Sequence, residues 1–440
     1  MAEAVKRLFQ SPSAYAWLVV ALLWPVAMLN YLDRQMVATI RASIRADIPS
    51  IANDQQFGTL IAVFMWVYAL LSPIGGYIAD RFNRRWTVIG SLLVWSAVTW
   101  ATGRATTYGQ MLWFRALMGI SEGFYIPAAL ALIADFHPGG TRARAVGIHQ
   151  SGIYAGLALG GIGGYIAQTS SWRNCFTCFG AAGVVYAIVL ILALRDAKSV
   201  REDGSSRPQE ALIKGEPPGR DRNASLVASV PAKQAVTIAG TLRALWLQPA
   251  FWILVTCFTL PAIAGWVIKN WLPTFLADTF KLKEGPAGLS ATGYIQFASF
   301  GGVLFGGALA DWWMRLTPRG RIYTSALGTL LLVPALLGLG CAWSLPAAIA
   351  FMMLFGLGWG LFDANNMPIL CQIVGPQHRA TGYGFMNLVS ISVGAGATVA
   401  LGWMRDQGIR FSIAFALSAA VALLSAGLIL LIKPRDDRPL

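Results

Sequence analysis

The sequence predicts an all-α membrane protein of twelve transmembrane helices in two pseudo-symmetric six-helix bundles, with both termini cytoplasmic. Three observations carry that prediction. Of 440 residues, 56% are hydrophobic and only 12% charged, about half the charged share of a soluble domain. Twelve apolar segments recur along the chain, several passing the roughly 20 residues that a helix needs to cross a bilayer. Between the sixth and seventh lies a stretch rich in Pro, Gly, Ser and both charge signs, residues 195–245. Such a composition cannot bury a core and reads as a solvated linker.

Taken in order, residues 1–15 form an N-terminal tail. No small-residue cleavage site follows a short apolar core, so the first segment is read as a retained helix. Segments at roughly 16–32, 57–79, 86–104, 109–134, 145–168 and 174–194 build the first bundle, 16–194. Segments at roughly 250–276, 288–310, 321–342, 345–371, 381–403 and 411–432 build the second, 246–433, before a tail at 434–440. None shows the ten-residue alternation of a membrane barrel. The fifth carries Gly152, Gly156, Gly160 and Gly164 at four-residue spacing, a small-residue face for close packing.

The net charge of +14 is topological rather than a nucleic-acid footprint. With both termini inside, the inside loops and tails hold 23 Lys and Arg against 8 outside, as the positive-inside rule requires. Cys175 and Cys178 make a lone C-x-x-C, weak evidence for metal or redox work, and small apolar helix residues are the simpler reading.

Charges inside the spans point to chemistry. Arg115 and Glu122 sit mid-way along the fourth segment, seven residues and therefore two turns apart on one face. An ionised side chain at the centre of a membrane helix costs roughly 2.5–3.5 kcal/mol on insertion scales. Both therefore face a bundle interior or a wet cavity, and Asp33–Arg34 end the first segment in the same way. An arginine offers a planar fork to a carboxylate. An acid set between apolar neighbours and an arginine can exchange a proton as its contacts change. Arg34 or Arg115 is thus the candidate for a substrate carboxylate, with Asp33 and Glu122 carrying the proton; the alternative is that these charges only hold helices in register.

The halves repeat. Gly76-Tyr-Ile-Ala-Asp80-Arg81 recurs as Gly307-Ala-Leu-Ala-Asp311, and Arg144-Ala-Val-Gly147 as Arg379-Ala-Thr-Gly382, at offsets of 231 and 235 residues. The first stretch, continued through Asn83, Arg84 and Arg85, resembles the G-x-L-A-D-R-x-G-R-K signature of the major facilitator superfamily. Arg115-Ala-Leu-Met-Gly119 is similar to its R-x-x-x-G motif. The resemblance covers essentially the whole chain and implies that superfamily's twelve-helix fold and alternating access. In it Gly76, Asp80, Arg81, Arg84, Arg85, Arg142, Arg144, Asp311 and Arg379 form a cytoplasmic gate motif, with Asp80 pairing to Arg142 or Arg144.

Asn30-Tyr31-Leu-Asp33-Arg34 together with Phe114-Arg115 through Glu122, Tyr125 and Pro127 resembles the anion:cation symporter family of hexuronate, galactonate and sialic acid carriers. It is also similar to the spinster-like lipid transporters. The resemblance implies proton-coupled symport of a small organic anion, a sugar acid being the leading candidate, with a lysolipid as the alternative. Tyr31 and Tyr125 join Arg34 and Arg115 as substrate-binding candidates. In the second half, Lys269 either meets the anion or snorkels to the interface. Asp363 is either a further protonation site or a helix-kink partner, and Asn365 and Asn366 suit sugar hydroxyls; Gln150, Gln296 and Asn387 are weaker cavity candidates. No H-E-x-x-H, G-x-S-x-G or Walker sequence is present, which disfavours a metalloenzyme, a hydrolase and an ATP-driven pump. The expectation is a bacterial inner-membrane monomer with no cofactor or metal, driven by a proton gradient, whose partners are the anion, the proton and the bilayer.

Overall fold

The computed structural model describes residues 12–137, 140–196, 245–375 and 378–432, and leaves aside the side chains of residues 12, 73, 75–81 and 380. The tails and nearly all of the 195–245 linker lie outside the described residues.

The described residues form helices and no strand. In the first half of the chain these are α1 (Pro12–Thr39), the short α2 (Arg41–Asp47), α3 (Asp54–Arg81), α4 (Arg84–Thr102), α5 (Tyr108–Glu122), α6 (Tyr125–Phe136), α7 (Arg142–Leu159), α8 (Ile162–Thr169) and α9 (Trp172–Ala193). The second half gives α10 (Pro249–Phe280), α11 (Glu284–Met314), α12 (Gly320–Gly340), α13 (Leu345–Asp363), α14 (Asn366–Ile373), α15 (Arg379–Asp406) and α16 (Phe411–Ile429). Ten helices among the described residues are long and apolar enough to cross a membrane, counting α5 with α6 and α13 with α14 as one each. The predicted third and fifth segments, α4 and α7 with α8, pack beside them.

The first helix runs seven residues past the predicted end at residue 32, through Asp33 and Arg34 to Thr39. Those polar side chains find partners inside the protein, so they do not end the helix. Three predicted segments are interrupted by one turn, at Gly123–Phe124, Gly160–Gly161 and Ala364–Asn365. The caps there keep right-handed helical dihedrals, so each rod continues in its direction. The Asn365 amide donates to the Leu361 carbonyl at 2.9 Å, taking over an acceptor that the break releases.

The glycine face on the fifth segment packs as expected and serves two neighbours. A Cβ at Gly152 or Gly156 would fall onto the carbonyl oxygens of Trp24 and Met28, so α7 lies backbone-to-backbone on α1. Gly161 and Gly164 approach the other half instead, at Leu289 and Glu284 of α11. A Gly156→Val protein is expected to lose at least about 2 kcal/mol, because neither backbone can retreat without unpacking the pair. Thermal unfolding in detergent against wild type measures it, and an unchanged transition would remove the close contact from the account.

The halves meet through α3 on α15, through α11 on α7 and α8, and through α10 on α1. Several hydrogen bonds span the seam. Gln35 donates to the Lys269 carbonyl at 2.8 Å and Thr292 to the Ala158 carbonyl at 2.7 Å. Gly402 lies directly against the backbone of Asp54. The junction is drawn together at the end of the molecule that carries the connections 40–53, 281–283 and 407–410. Large apolar side chains such as Leu70, Leu192, Phe297 and Leu423 remain exposed on the outer helix faces, as a lipid-facing surface requires.

Candidate substrate and coupling site

Asp33 and Arg34 are adjacent on one helix, so their side chains leave it about 100° apart and go to different partners. Arg34 crosses to the end of α5 and donates from Nε to Glu122 Oε2 at 2.6 Å. Its guanidinium also lies over the rings of Tyr31, Phe64 and Tyr68, with centroid distances of 4.4, 5.1 and 4.2 Å. Asp33 turns to α4, where Thr99 donates to its Oδ2 at 3.0 Å. The ion pair therefore joins the first and fourth segments. Neither Arg115–Glu122 nor Asp33–Arg34, the within-segment pairs open from spacing, is formed.

Arg115 is 1% exposed and enclosed on all sides. It donates to the Leu60 carbonyl at 3.3 Å, contacts Met118 Sδ at 3.3 Å and lies over the Phe64 ring. That enclosure argues against a direct substrate contact and for a structural charge behind the pair. Tyr125 is likewise in the core: its hydroxyl donates to the Leu23 carbonyl at 3.1 Å and sits 2.9 Å from His149 Nε2.

Around the pair, Asp33 Oδ1 and Arg34 Nη2 are buried and find no hydrogen-bond partner among the described residues. Unpaired buried groups of this kind are costly, and they mark a place where a proton or a polar solute changes the balance. Asn30, fully buried, lies beside Glu122 on the same wall.

Across the space between the halves, Lys269 on α10 points its ammonium at two indoles, 5.2 Å from the Trp266 centroid and 4.9 Å from that of Trp359. Among the described residues no carboxylate lies within 4.0 Å of it. Asp363, the last residue of α13, is exposed, accepts from Asn366 at 3.4 Å and acts on Lys269 through space. Tyr383 of α15, beside Asn387, is in electrostatic range of Tyr31 and Tyr68, and Tyr154 of Asp363, so the two walls face one another. Asn365 is buried in the helix break and Gln296 in α11; Gln150 is exposed.

Of the gate motif, the side chains of Gly76, Asp80 and Arg81 lie outside the described residues. Arg84 forms a short ion pair with Asp135, and Arg85 donates to the Ile191 carbonyl at 2.6 Å. Arg142 and Arg379 do the same task in the two halves. Arg142 donates to the carbonyls of His137 and Ala134, Arg379 to those of Val374 and Cys371. Both cap the end of the preceding helix, which makes Arg142, rather than the Arg144 matched by sequence, the structural counterpart of Arg379. Arg144 is exposed, and Asp311 pairs with Arg321 at 3.6 Å.

At the drawn-together end is a second ionic cluster, one that sequence reading passed over. Asp54, 5% exposed, takes Arg41 at 2.5 Å and Arg45 at 2.6 Å from its own half, with Arg405 of the other half at 3.8 Å. Asp406 accepts the backbone N–H groups of Asp54 and Gln55, both at 2.8 Å, capping α3 from the opposite half. Glu284 binds the backbone N–H of Ser43 at 2.9 Å and, more closely, its hydroxyl. A small cavity of about 50 Å³ survives beneath, lined by Arg41, Thr274 and Asp278. Ordinary charges near helix ends give no sequence signal for such a lock.

Helices with apolar outer faces, and charges gathered between two walls, define a polytopic membrane transporter. The model of the Major Facilitator Superfamily matches residues 23–399, and the chain belongs to that superfamily: it is a multi-pass membrane transporter and not an enzyme. Protein spinster of Drosophila melanogaster is 26% identical over 402 residues, 89% of this chain and 62% of that protein, so the chain spans less than two thirds of that relative's length. The D-galactonate transporter of Escherichia coli O6:H1 is 26% identical over 85% of this chain and 91% of its own. The hexuronate transporter of Bacillus subtilis is 25% identical over 96% of each. Among solved structures, a bacterial homolog to the human lysosomal transporter Spinster, inward-facing and unoccupied, matches with a TM-score of 0.69 at 20% identity over 95% of each chain. That likeness speaks for the fold alone.

Proposed function

We propose that this transporter couples a small organic anion, a sugar acid such as a hexuronate or aldonate, to proton entry by alternating access. Two six-helix bundles, 16–194 and 246–433, joined by the 195–245 linker, rock about the central site, with twelve spans and both termini in the cytoplasm. The observation that carries this reading is the buried Arg34–Glu122 pair, which crosses two segments at 2.6 Å with Asp33 beside it. While Glu122 is ionised it holds Arg34. A proton arriving on Glu122 or Asp33 weakens that hold, frees the guanidinium to stabilise an anion nearby, and so makes anion and proton bind together.

Orientation follows from the charge distribution. The basic loops favour a cytoplasmic side opposite the locked end, which supports reading this arrangement as closed to the exterior. The similarity to galactonate and hexuronate transporters over most of their length supports the anion class. A second reading, a lysolipid or lipid carrier, draws support from the comparable similarity to spinster proteins. No cofactor enters this scheme: the proton gradient supplies the energy, the bundle pair is complete as a monomer, and the setting is a bacterial inner membrane. The test is uptake by proteoliposomes under an imposed proton gradient, with hexuronates, aldonates, aromatic acids and lysophospholipids as the panel. Concentrative uptake of a sugar acid that collapses with a protonophore is expected. Transport of lysophospholipid alone would move the protein to the second reading.

A further inference from the structure

The two halves build the same charged arrangement, and only one of them is closed. In the first half a cation on the first helix, Arg34, has an aromatic residue three positions earlier over it, Tyr31. Its acid, Glu122, is the last residue of α5, just before the break in the fourth rod. In the second half Lys269 stands 235 residues after Arg34, between the offsets of 231 for Gly76 and Gly307 and 237 for Arg142 and Arg379. Trp266 lies three positions earlier and beside it. Asp363 is the last residue of α13, just before the break in the tenth segment.

The difference between the pairs is informative. Arg34 and Glu122 touch at 2.6 Å, whereas Lys269 and Asp363 act on each other without bonding. The ammonium is held between two indole faces and retains its donors, since cation–π contact leaves all three N–H groups free. Asp363 stays solvent-accessible and accepts only a long bond from Asn366. Arg115 is enclosed, and Arg34 is held by Glu122 until a proton arrives, so among the described residues near the site Lys269 is the cation with room for a carboxylate while that pair is closed.

We infer that the open Lys269–Asp363 pair is the substrate subsite: Lys269 takes the carboxylate of the anion, and Asp363 with Asn366 takes its hydroxyls. Trp266 and Trp359 provide flat apolar walls for the C–H face of the carbon chain. The carboxylate replaces Asp363 as counter-ion to Lys269, and Asp363 in turn requires hydrogen-bond donors on the solute. The class selected is a hydroxylated monocarboxylate. A dicarboxylate of the same length would set its second charge against Asp363, and a neutral sugar would leave the ammonium without a counter-ion.

This inference rests on the organic-anion reading above and deepens it. Its test is equilibrium binding of D-galactonate, its neutral amide and the dicarboxylate galactarate to the purified full chain. Lys269→Gln is expected to weaken D-galactonate by about 30-fold, the scale of one charge-assisted contact, and to abolish the preference over the amide. Lys269→Arg should retain that preference, and Asp363→Asn should admit galactarate. A Lys269→Gln protein that keeps the preference, or that loses acid and amide equally while Lys269→Arg fails to rescue, overturns the subsite. Should wild type bind none of the three and also transport no acid of the panel, the anion reading itself falls, a result distinct from an unaffected Lys269→Gln.

Discussion

A Glu122→Gln protein is expected to lose proton-driven accumulation of its substrate by about 100-fold while keeping counterflow exchange within about threefold of wild type. Glutamine has the size of the protonated acid and still offers its carbonyl to Arg34, so the wall keeps its shape. It cannot give up or accept a proton, however, so the 2.6 Å pair to Arg34 could not alternate between held and released as proposed. Net uptake needs that alternation because the empty carrier must return without its cargo. Exchange does not, since a loaded carrier returns loaded. Loss of both activities would make Glu122 a structural pair with Arg34. Retention of both would place the coupling elsewhere, with Asp33 and its Thr99 partner the next position to substitute.

The second large effect concerns the ionic lock at the drawn-together end. Two carboxylates of the second half, Glu284 and Asp406, hold backbone and side-chain donors of the first half at Ser43, Asp54 and Gln55. Hydrogen bonds to a charged group contribute about 1.5–3 kcal/mol each, and all of these must break before that end opens. The Glu284→Ala, Asp406→Ala double variant is therefore expected to shift the closed–open balance by about 3 kcal/mol, roughly 100-fold. The readout is labelling of Thr274→Cys by an impermeant maleimide, in a background without the native cysteines. Thr274 is buried and lines the small cavity under the lock. A rate that rises supports the lock; a rate equal to that of the intact protein means that close helix packing at Gly161 and Gly402 keeps this end shut.

What sequence could reveal was the presence of misplaced charge. Arg34, Arg115, Glu122 and Lys269 stand out because an apolar run has no other reason to hold them, and the same logic placed nearly every helix. Pairing was not legible. Whether Glu122 meets Arg115 on its own helix or Arg34 on another depends on how α1 and α5 lie side by side, and helical phase alone leaves both open. The aromatic wall at Lys269 was half legible: Trp266 sits at helical spacing, whereas Trp359 arrives from α13. Tyr125 was named through the family resemblance, which carries no information on its packing; its hydroxyl turns into the core toward the Leu23 carbonyl and His149. The lock was invisible for a different reason. Asp54, Glu284 and Asp406 occupy helix ends, where charged residues are commonplace, and only the meeting of two distant segments gives them a shared task.

The central claim is that anion and proton cross together through the Arg34–Glu122 wall. External pH in a weakly buffered suspension of proteoliposomes, followed as D-galactonate or a hexuronate is added with no gradient imposed, tests it most directly. Alkalinisation that is absent from Glu122→Gln vesicles is the predicted result. Substrate entry with no pH change, in wild type and variant alike, would contradict it.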